Sequence, residues 1–198
     1  MFAENVRASQ GIFMIVGLGN PGRRYMRTRH NVGYEVAWRF CERHSIRLRT
    51  KRKLRARIGM AEIDGRRVAA VMPTTFMNRS GEAVASAVGF YGVHPKDLLV
   101  IVDDANLSLG RLRIRSKGSD GGHNGLRSVI ACLGTTDFPR LRLGIGKDEL
   151  ASRPLRDFVL GDFPRHEREV IADTIGRAVE AVDAVIAEGI ARAMSRYN

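Results

Sequence analysis

Two cysteines in 198 residues, with no CxxC pair between them, give no basis for a disulfide framework or a thiolate metal site. Cys41 and Cys132 fall inside apolar helical patterns and are expected as buried, reduced thiols. No stretch approaches the roughly 20 consecutive apolar residues of a membrane span. Residues 1–7 also lack the charged-then-apolar order of a secretory signal, so a cytoplasmic protein is expected. Acid is scarce: 21 Asp and Glu stand against 33 Lys and Arg, for a net charge of +12 and a pI of about 10.7. That balance favours a polyanionic partner, nucleic acid ahead of a membrane surface. The chain has no GxSxG elbow, no HExxH, no Walker loop and no run of His and Asp at ligand spacing, which removes the usual nucleophile, zinc and P-loop signatures. It has no internal repeat, low-complexity tract or Pro/Gly linker, and 44% apolar residues suffice for one core. We therefore expect a single domain over residues 12–198, preceded by a flexible extension over 1–11.

What is present begins with Ile12-Phe13-Met14-Ile15-Val16, an apolar run that reads as a buried strand and leads into Gly17-Leu18-Gly19-Asn20-Pro21-Gly22. The glycine spacing satisfies a dinucleotide fingerprint. However, Pro21 and the arginine-rich stretch after it oppose direct entry into a helix, and no acid ends a second strand about 20 residues on. Val32, Val36 and Phe40 repeat at helical spacing, so a helix begins at or just after His30 and runs through Glu42. Arg43 to Arg57 holds eight Lys or Arg and no acid, a run expected to be a solvated face. Asp64-Gly65 between alternating segments marks a hairpin. Ser80 is expected to cap a helix through Val84, Val88 and Tyr91, and Leu98 to Val102 form a strand that delivers Asp103-Asp104. Arg111 to Arg115 alternates like an exposed strand, and Gly118 to Gly125 enters a helix with Leu126, Val129, Ile130 and Leu133 inward. Arg140 to Gly146 returns as a strand, and one amphipathic helix spans about Glu167 to Ala193. The alternation predicts a single-domain α/β/α sandwich with a mixed, largely parallel sheet.

Without the usual signatures, general-base chemistry is left. His30 is the best candidate, because a neutral imidazole with an unperturbed pKa of about 6.5 takes a proton from water near neutral pH. A carboxylate at a strand end can fix its tautomer, and Asp103 and Asp104 are equally placed for this. Asn78, in Thr75-Phe76-Met77-Asn78-Arg79-Ser80-Gly81, offers an amide to an oxyanion or to the attacking water.

These segments, with Thr28-Arg29-His30-Asn31-Val32-Gly33, Gly121-Gly122-His123-Asn124-Gly125-Leu126-Arg127-Ser128, Arg140-Leu141-Arg142-Leu143-Gly144-Ile145-Gly146 and Asp157-Phe158-Val159-Leu160-Gly161-Asp162-Phe163, resemble the bacterial-type peptidyl-tRNA hydrolases in order and spacing over residues 13–197. The resemblance implies hydrolysis of the ester between a peptide and the 3′ end of tRNA. It makes His30 the base, Asp103 its orienting partner, and Asn20 and Asn78 residues of the reaction centre. Asn124 would hold the peptide part, with Tyr25, Met77 and His123 around the same cleft. Arg113, Arg115 and Arg142 match basic positions that face tRNA. No metal, cofactor, membrane or obligate protein partner is implied, and a monomer is expected. The chain departs from the family in having Val102 where histidine is frequent, Ala105-Asn106 after the acids, and Ser119-Asp120 in the glycine loop. An RNA-binding protein on the same scaffold is the alternative; the intact set of Asn20, His30, Asn78, Asp103 and Asn124 favours the hydrolase.

Overall fold

The apolar run before the first glycine turn has no polar face, which suits a strand covered on both sides. In the computed structural model, which describes residues 11–146 and 154–198, it forms β1 (Phe13–Gly17). Phe13 and Ile15 enter one core and Met14 and Val16 the other. Strand β5 (Leu98–Asp104) behaves alike: Leu99 and Ile101 join the first core, and Leu98, Val100 and Val102 join the second. Both strands are buried along their whole length. With β2 (Arg49–Lys51), β3 (Ala56–Ile63), β4 (Arg66–Pro73), β6 (Leu112–Arg115) and β7 (Arg140–Gly144), they make a seven-stranded sheet. Its order is β2-β3-β4-β1-β5-β7-β6. The centre, β4-β1-β5-β7, is parallel; β3 and β6 run antiparallel to their neighbours, and β2 is antiparallel to β3. The β3–β4 hairpin turns at Asp64-Gly65, both with positive φ, as a tight two-residue loop requires.

Helices α1 (Val32–Arg43), α5 (Arg168–Glu188) and α6 (Ile190–Tyr197) fill the first core, and α2 (Ser80–Tyr91) and α3 (Asn124–Leu133) fill the second. The expected α/β/α sandwich with a mixed, centrally parallel sheet is what forms.

Gly17 and Gly33 set the distance on which the site depends. A Cβ on Gly17 would collide with the Gly33 carbonyl, and one on Gly33 with the carbonyls of Ile101 and Leu18. The start of α1 therefore rests directly on the ends of β1 and β5. A Cβ on Gly19 would strike the Tyr34 ring. These glycines serve close packing of helix on sheet.

Three expectations need correction. Ser80 does not cap α2: it is the first helical residue, fully buried, after a 3-10 turn (Met77–Arg79), and Arg79 occupies the cap position with no side-chain capping bond. The C-terminal helix is two helices, because Gly189 breaks it at φ 87°, ψ 166°. The apolar period continues across that break, which hides it in the sequence. The connection before these helices carries a short helix, α4 (Leu155–Val159). Cys41 is buried as expected, but Cys132 is exposed, since it falls on the outer side of α3. Ile130 and Leu133 are only half-buried. The expected N-terminal extension lies, apart from Gly11, outside the described residues.

Candidate active site

The carboxyl ends of parallel strands converge on a common crevice, and here β1, β4 and β5 deliver three loops to it. After β1 the chain makes the Asn20 turn and then a 3-10 turn, Arg29–Asn31, which carries His30. After β4 comes the turn of Met77 and Asn78. Strand β5 ends in Asp103 and Asp104. Together with the His123 loop and α4, they line a cleft of about 830 Å³ that contains Asn20, Tyr25, His30, Met77, Asn78 and Asp103. Asn124, His123 and Arg142 line it as well, so nine of the eleven expected site residues share one cleft. Arg113 and Arg115 do not: they are exposed on edge strand β6.

His30 Nδ1 lies 2.8 Å from Asp103 Oδ1. Asp103 is 3% exposed, and burial opposes its charge, but His30 and His123 outweigh that cost and hold the carboxyl well below the usual carboxylate range. Burial likewise works against a charged His30, yet Asp103's charge and hydrogen bond prevail and move the imidazole upward. An ionised Asp103 can only accept, so His30 carries its proton on Nδ1 and presents Nε2 as a base. Nε2 has no protein partner among the described residues.

Strand alternation separates the two acids that the sequence left equivalent. Asp103 faces the histidines, whereas Asp104 accepts from Arg142 Nη1 at 3.0 Å and from the Asn106 amide at 2.9 Å.

His123 is more than a residue near the cleft. Its Nδ1 faces the Gly125 and Leu126 amides at 3.1 and 3.2 Å, capping α3, and its Nε2 is 2.9 Å from Asp103 Oδ1. Two backbone donors at Nδ1 leave the ring proton on Nε2, so His123 donates to the same oxygen as His30. The two rings tilt together at 4.8 Å between centroids. The N-cap position just before Asn124-Gly125 is the sequence signal for this role.

Asn20 is held at both ends. Its Oδ1 accepts from the Met77 amide at 2.8 Å, its backbone amide donates to Asn31 Oδ1 at 2.8 Å, and Asn31 Nδ2 returns a bond to its carbonyl at 2.9 Å. Asn31 is thus the staple between the Asn20 turn and the His30 turn. Asn78 is exposed at the cleft, and Asn124, first residue of α3, accepts from Arg127 at 3.2 Å. Tyr25 meets Phe76 edge-on at 6.4 Å on one wall.

Two buried arginines brace this frame, and periodicity gives no hint of either. Arg29 is 1% exposed, lies over the rings of Phe158 and Phe163 at 4.5 and 4.9 Å, and donates to the Asp162 carbonyl and to Glu167 Oε2 at 2.6 and 2.8 Å. It ties the turn carrying His30 to the segment after α4. Arg140, fully buried and pushed down to about 10 by burial and by Arg142, donates to the carbonyls of Gly118, Ser119 and Thr136. Arg142 also donates to the Ser119 carbonyl at 2.9 Å. The glycine-rich loop is therefore clipped to β7 by two guanidinium groups.

Folding also gathers a group that the linear spacing did not reveal. The ligand atoms of His30, Asp103 and His123 lie within 4.8 Å of one another, close enough for a metal ion. Both imidazoles hydrogen-bond to the same carboxylate oxygen, so a cation there would have to displace two short bonds.

Residues 14–198 match the family described as peptidyl-tRNA hydrolase. The peptidyl-tRNA hydrolase of Alkaliphilus oremlandii is 45% identical over 185 residues, covering 93% of this chain and 98% of that protein. That of Chloroflexus aggregans is 46% identical over 188 residues, covering 94% and 99%. The crystal structure of peptidyl-tRNA hydrolase from Acinetobacter baumannii superposes with a TM-score of 0.86 at 33% identity, covering 94% of each chain. A complex of peptidyl-tRNA hydrolase with N-propanol gives 0.87 at the same identity and coverage. With a profile match across nearly its whole length and relatives matched almost end to end, this chain belongs to the peptidyl-tRNA hydrolase family.

Proposed function

We propose that the chain hydrolyses the ester between a peptide, or an N-blocked aminoacyl group, and the 3′ end of tRNA, recycling tRNA from prematurely released peptidyl-tRNA. It does so in the cytoplasm as a monomer, with no metal or cofactor. The observation that carries this reading is the pairing of His30 Nδ1 with buried Asp103 at the foot of the cleft, which leaves Nε2 for substrate.

His30 Nε2 takes a proton from water as the oxygen attacks the ester carbonyl. Asp103 keeps Nδ1 protonated and stabilises the imidazolium that forms. Negative charge develops on the carbonyl oxygen, and the Asn78 amide donates to it; one such donor is worth about 10²–10³ in rate. The tetrahedral intermediate collapses, the C–O bond to the ribose 3′ oxygen breaks, and the imidazolium returns its proton to that oxygen. The products are a peptide carboxylate and a free 3′ hydroxyl. Asn20 lines the reaction centre with the amide nitrogen that Met77 leaves unused, and Asn124 holds the peptide, with Tyr25 and Met77 forming walls. Arg113, Arg115 and Arg142 meet phosphates, which fix the position of the acceptor stem without reading bases.

Hydrolysis in H₂¹⁸O tests the route. Attack at the acyl carbon puts one ¹⁸O into the peptide carboxylate and none into the tRNA. Label in the ribose hydroxyl would exclude the mechanism.

A further inference from the structure

The basic run from Arg43 to Arg57, expected as a solvated face, has an uneven pattern of partners. Arg43 pairs with Asp183, Arg55 with Glu82, and Arg57 lies over the Trp38 ring. Arg47, Arg49, Lys51, Arg52 and Lys53 have no carboxylate partner among the described residues, and all five are exposed. Four of them form β2 and the turn after it, at the free edge of the sheet.

The register shows where that edge leads. Strand β2 is antiparallel to β3, and β3 to β4, so β2 runs the same way as β4 and β1. Lys51 pairs with Ala56, and Ala56 with Pro73, the last residue of β4 before the Met77–Asn78 turn. Lys51, Arg52 and Lys53 therefore emerge at the end of the sheet that carries the cleft, three strand spacings or about 14 Å from β1. Arg115, by contrast, pairs with Arg140 at the start of β7, three rows below the Asp103 row.

Between the basic turn and the cleft the surface stays cationic. Arg55 and Arg79 share one carboxylate, Glu82, and with Phe76 they border a hollow next to the cleft; Phe76 lines both. Beside the turn, the ring of Phe90 is 70% exposed and forms one side of a hollow of about 600 Å³ whose other side is residues 50–54. Unpaired cations beside an exposed ring suit RNA: phosphates take the charges, and an unpaired base stacks on the ring.

We propose that the β2 edge, Arg49 with Lys51, Arg52 and Lys53, is a second docking surface for the phosphate backbone of the substrate tRNA, continuous with the cleft through Arg55, Arg79 and Phe76. Phe90 supplies its stacking face. This rests on the proposed function, since the track that reaches the cleft favours the same tRNA over a separate RNA. Lysines on an edge strand also deter pairing with another chain, a task that charge of either sign performs. Phosphate contact requires cations.

The test reverses sign while keeping the edge charged: Lys51→Glu, Arg52→Glu and Lys53→Glu together in the full chain. Kinetics are measured on N-acetyl-aminoacyl-tRNA and on a short N-acetyl-aminoacyl oligonucleotide that carries only the 3′ end. KM for the intact tRNA should rise tenfold or more with kcat unchanged, its dependence on salt should become shallower, and the short substrate should change less than twofold. Arg67→Glu with Lys96→Glu, at the opposite end of the sheet, reverses two cations and controls for overall charge per cation reversed. An unchanged KM and salt dependence on intact tRNA overturns the proposal, as does an equal effect of the control pair. So does lost affinity for ribosomal RNA fragments with tRNA kinetics intact. If the wild-type chain hydrolyses neither substrate, it is the proposed function that fails.

Discussion

Asp103 Oδ1 lies 2.8 Å from His30 Nδ1 and also receives His123 Nε2, so one buried oxygen accepts from two imidazoles. Its second donor has a consequence for the base. A carboxylate shared with His123 is held in place even before substrate arrives, and His30 can rotate only by breaking a short bond.

Asp103→Asn removes the charge that favours the imidazolium. Turnover falls by about 10²–10⁴-fold. In the wild type, Asp103 moves the His30 pKa upward, and in the proposed mechanism His30 works only when deprotonated. The acid limb of the kcat/KM profile therefore shifts to lower pH in the variant, with a lower plateau. A limb that stays in place or moves up would contradict the pairing.

The same pair links stability to pH with opposite signs. Asp103 has a lowered folded pKa, so its contribution is present above its unfolded value of about 3.9 and is lost as pH falls below it. His30 has a raised folded pKa, so its contribution is full below about 6.5 and is lost as pH rises through the folded value. Melting of the wild type and Asp103→Asn from pH 3 to pH 8 should show the largest gap between those limits, narrowing toward both ends. A gap independent of pH would exclude the linkage.

In the proposed mechanism Asn20 separates two functions by atom. Asn20→Ala leaves the buried Met77 amide without its acceptor, at a cost of about 1–3 kcal/mol, read as a drop in Tm of roughly 3–10 °C. Asn20→Asp keeps an acceptor for Met77 but loses the amide donor, so its Tm stays nearer the wild type while turnover still falls. Equal Tm losses in both would show that Asn20 acts through packing alone.

Arg142 and Arg113 should part company. Arg113→Ala, on an exposed position of β6, reduces the salt dependence of KM by the loss of about one phosphate contact and leaves Tm unchanged. Arg142→Ala also strips Asp104 of its cation and the glycine loop of a clip, so stability falls by about 1–3 kcal/mol and Tm falls with it. Identical behaviour of the two would contradict the assignment of Arg142 to both tasks.

Much of this was legible in the residues themselves. β1 and β5 announce themselves as unbroken apolar runs, and the glycine turn and Asp103-Asp104 follow from where those runs stop. The choice between Asp103 and Asp104 was not legible, because both end the same strand and only the direction of each side chain separates them. His123 was undervalued for a related reason: its partner is 20 residues away and reached only through the β5–α3 connection. Arg29 and Arg140 defeat pattern reading altogether, since a guanidinium is seldom buried and their stabilising partners are mostly carbonyls and rings. Cys132 and the helix break at Gly189 were misread because an amphipathic period says which face is apolar without fixing where that face ends.

The first experiment is release of free tRNA from purified N-acetyl-aminoacyl-tRNA by the wild type and by His30→Ala, with and without EDTA. We expect rapid release by the wild type, indifferent to EDTA, and a loss of about 10²–10⁴-fold in kcat for His30→Ala with tRNA binding retained. Near-normal turnover by His30→Ala, or wild-type activity abolished by EDTA, would contradict a histidine base acting alone on water.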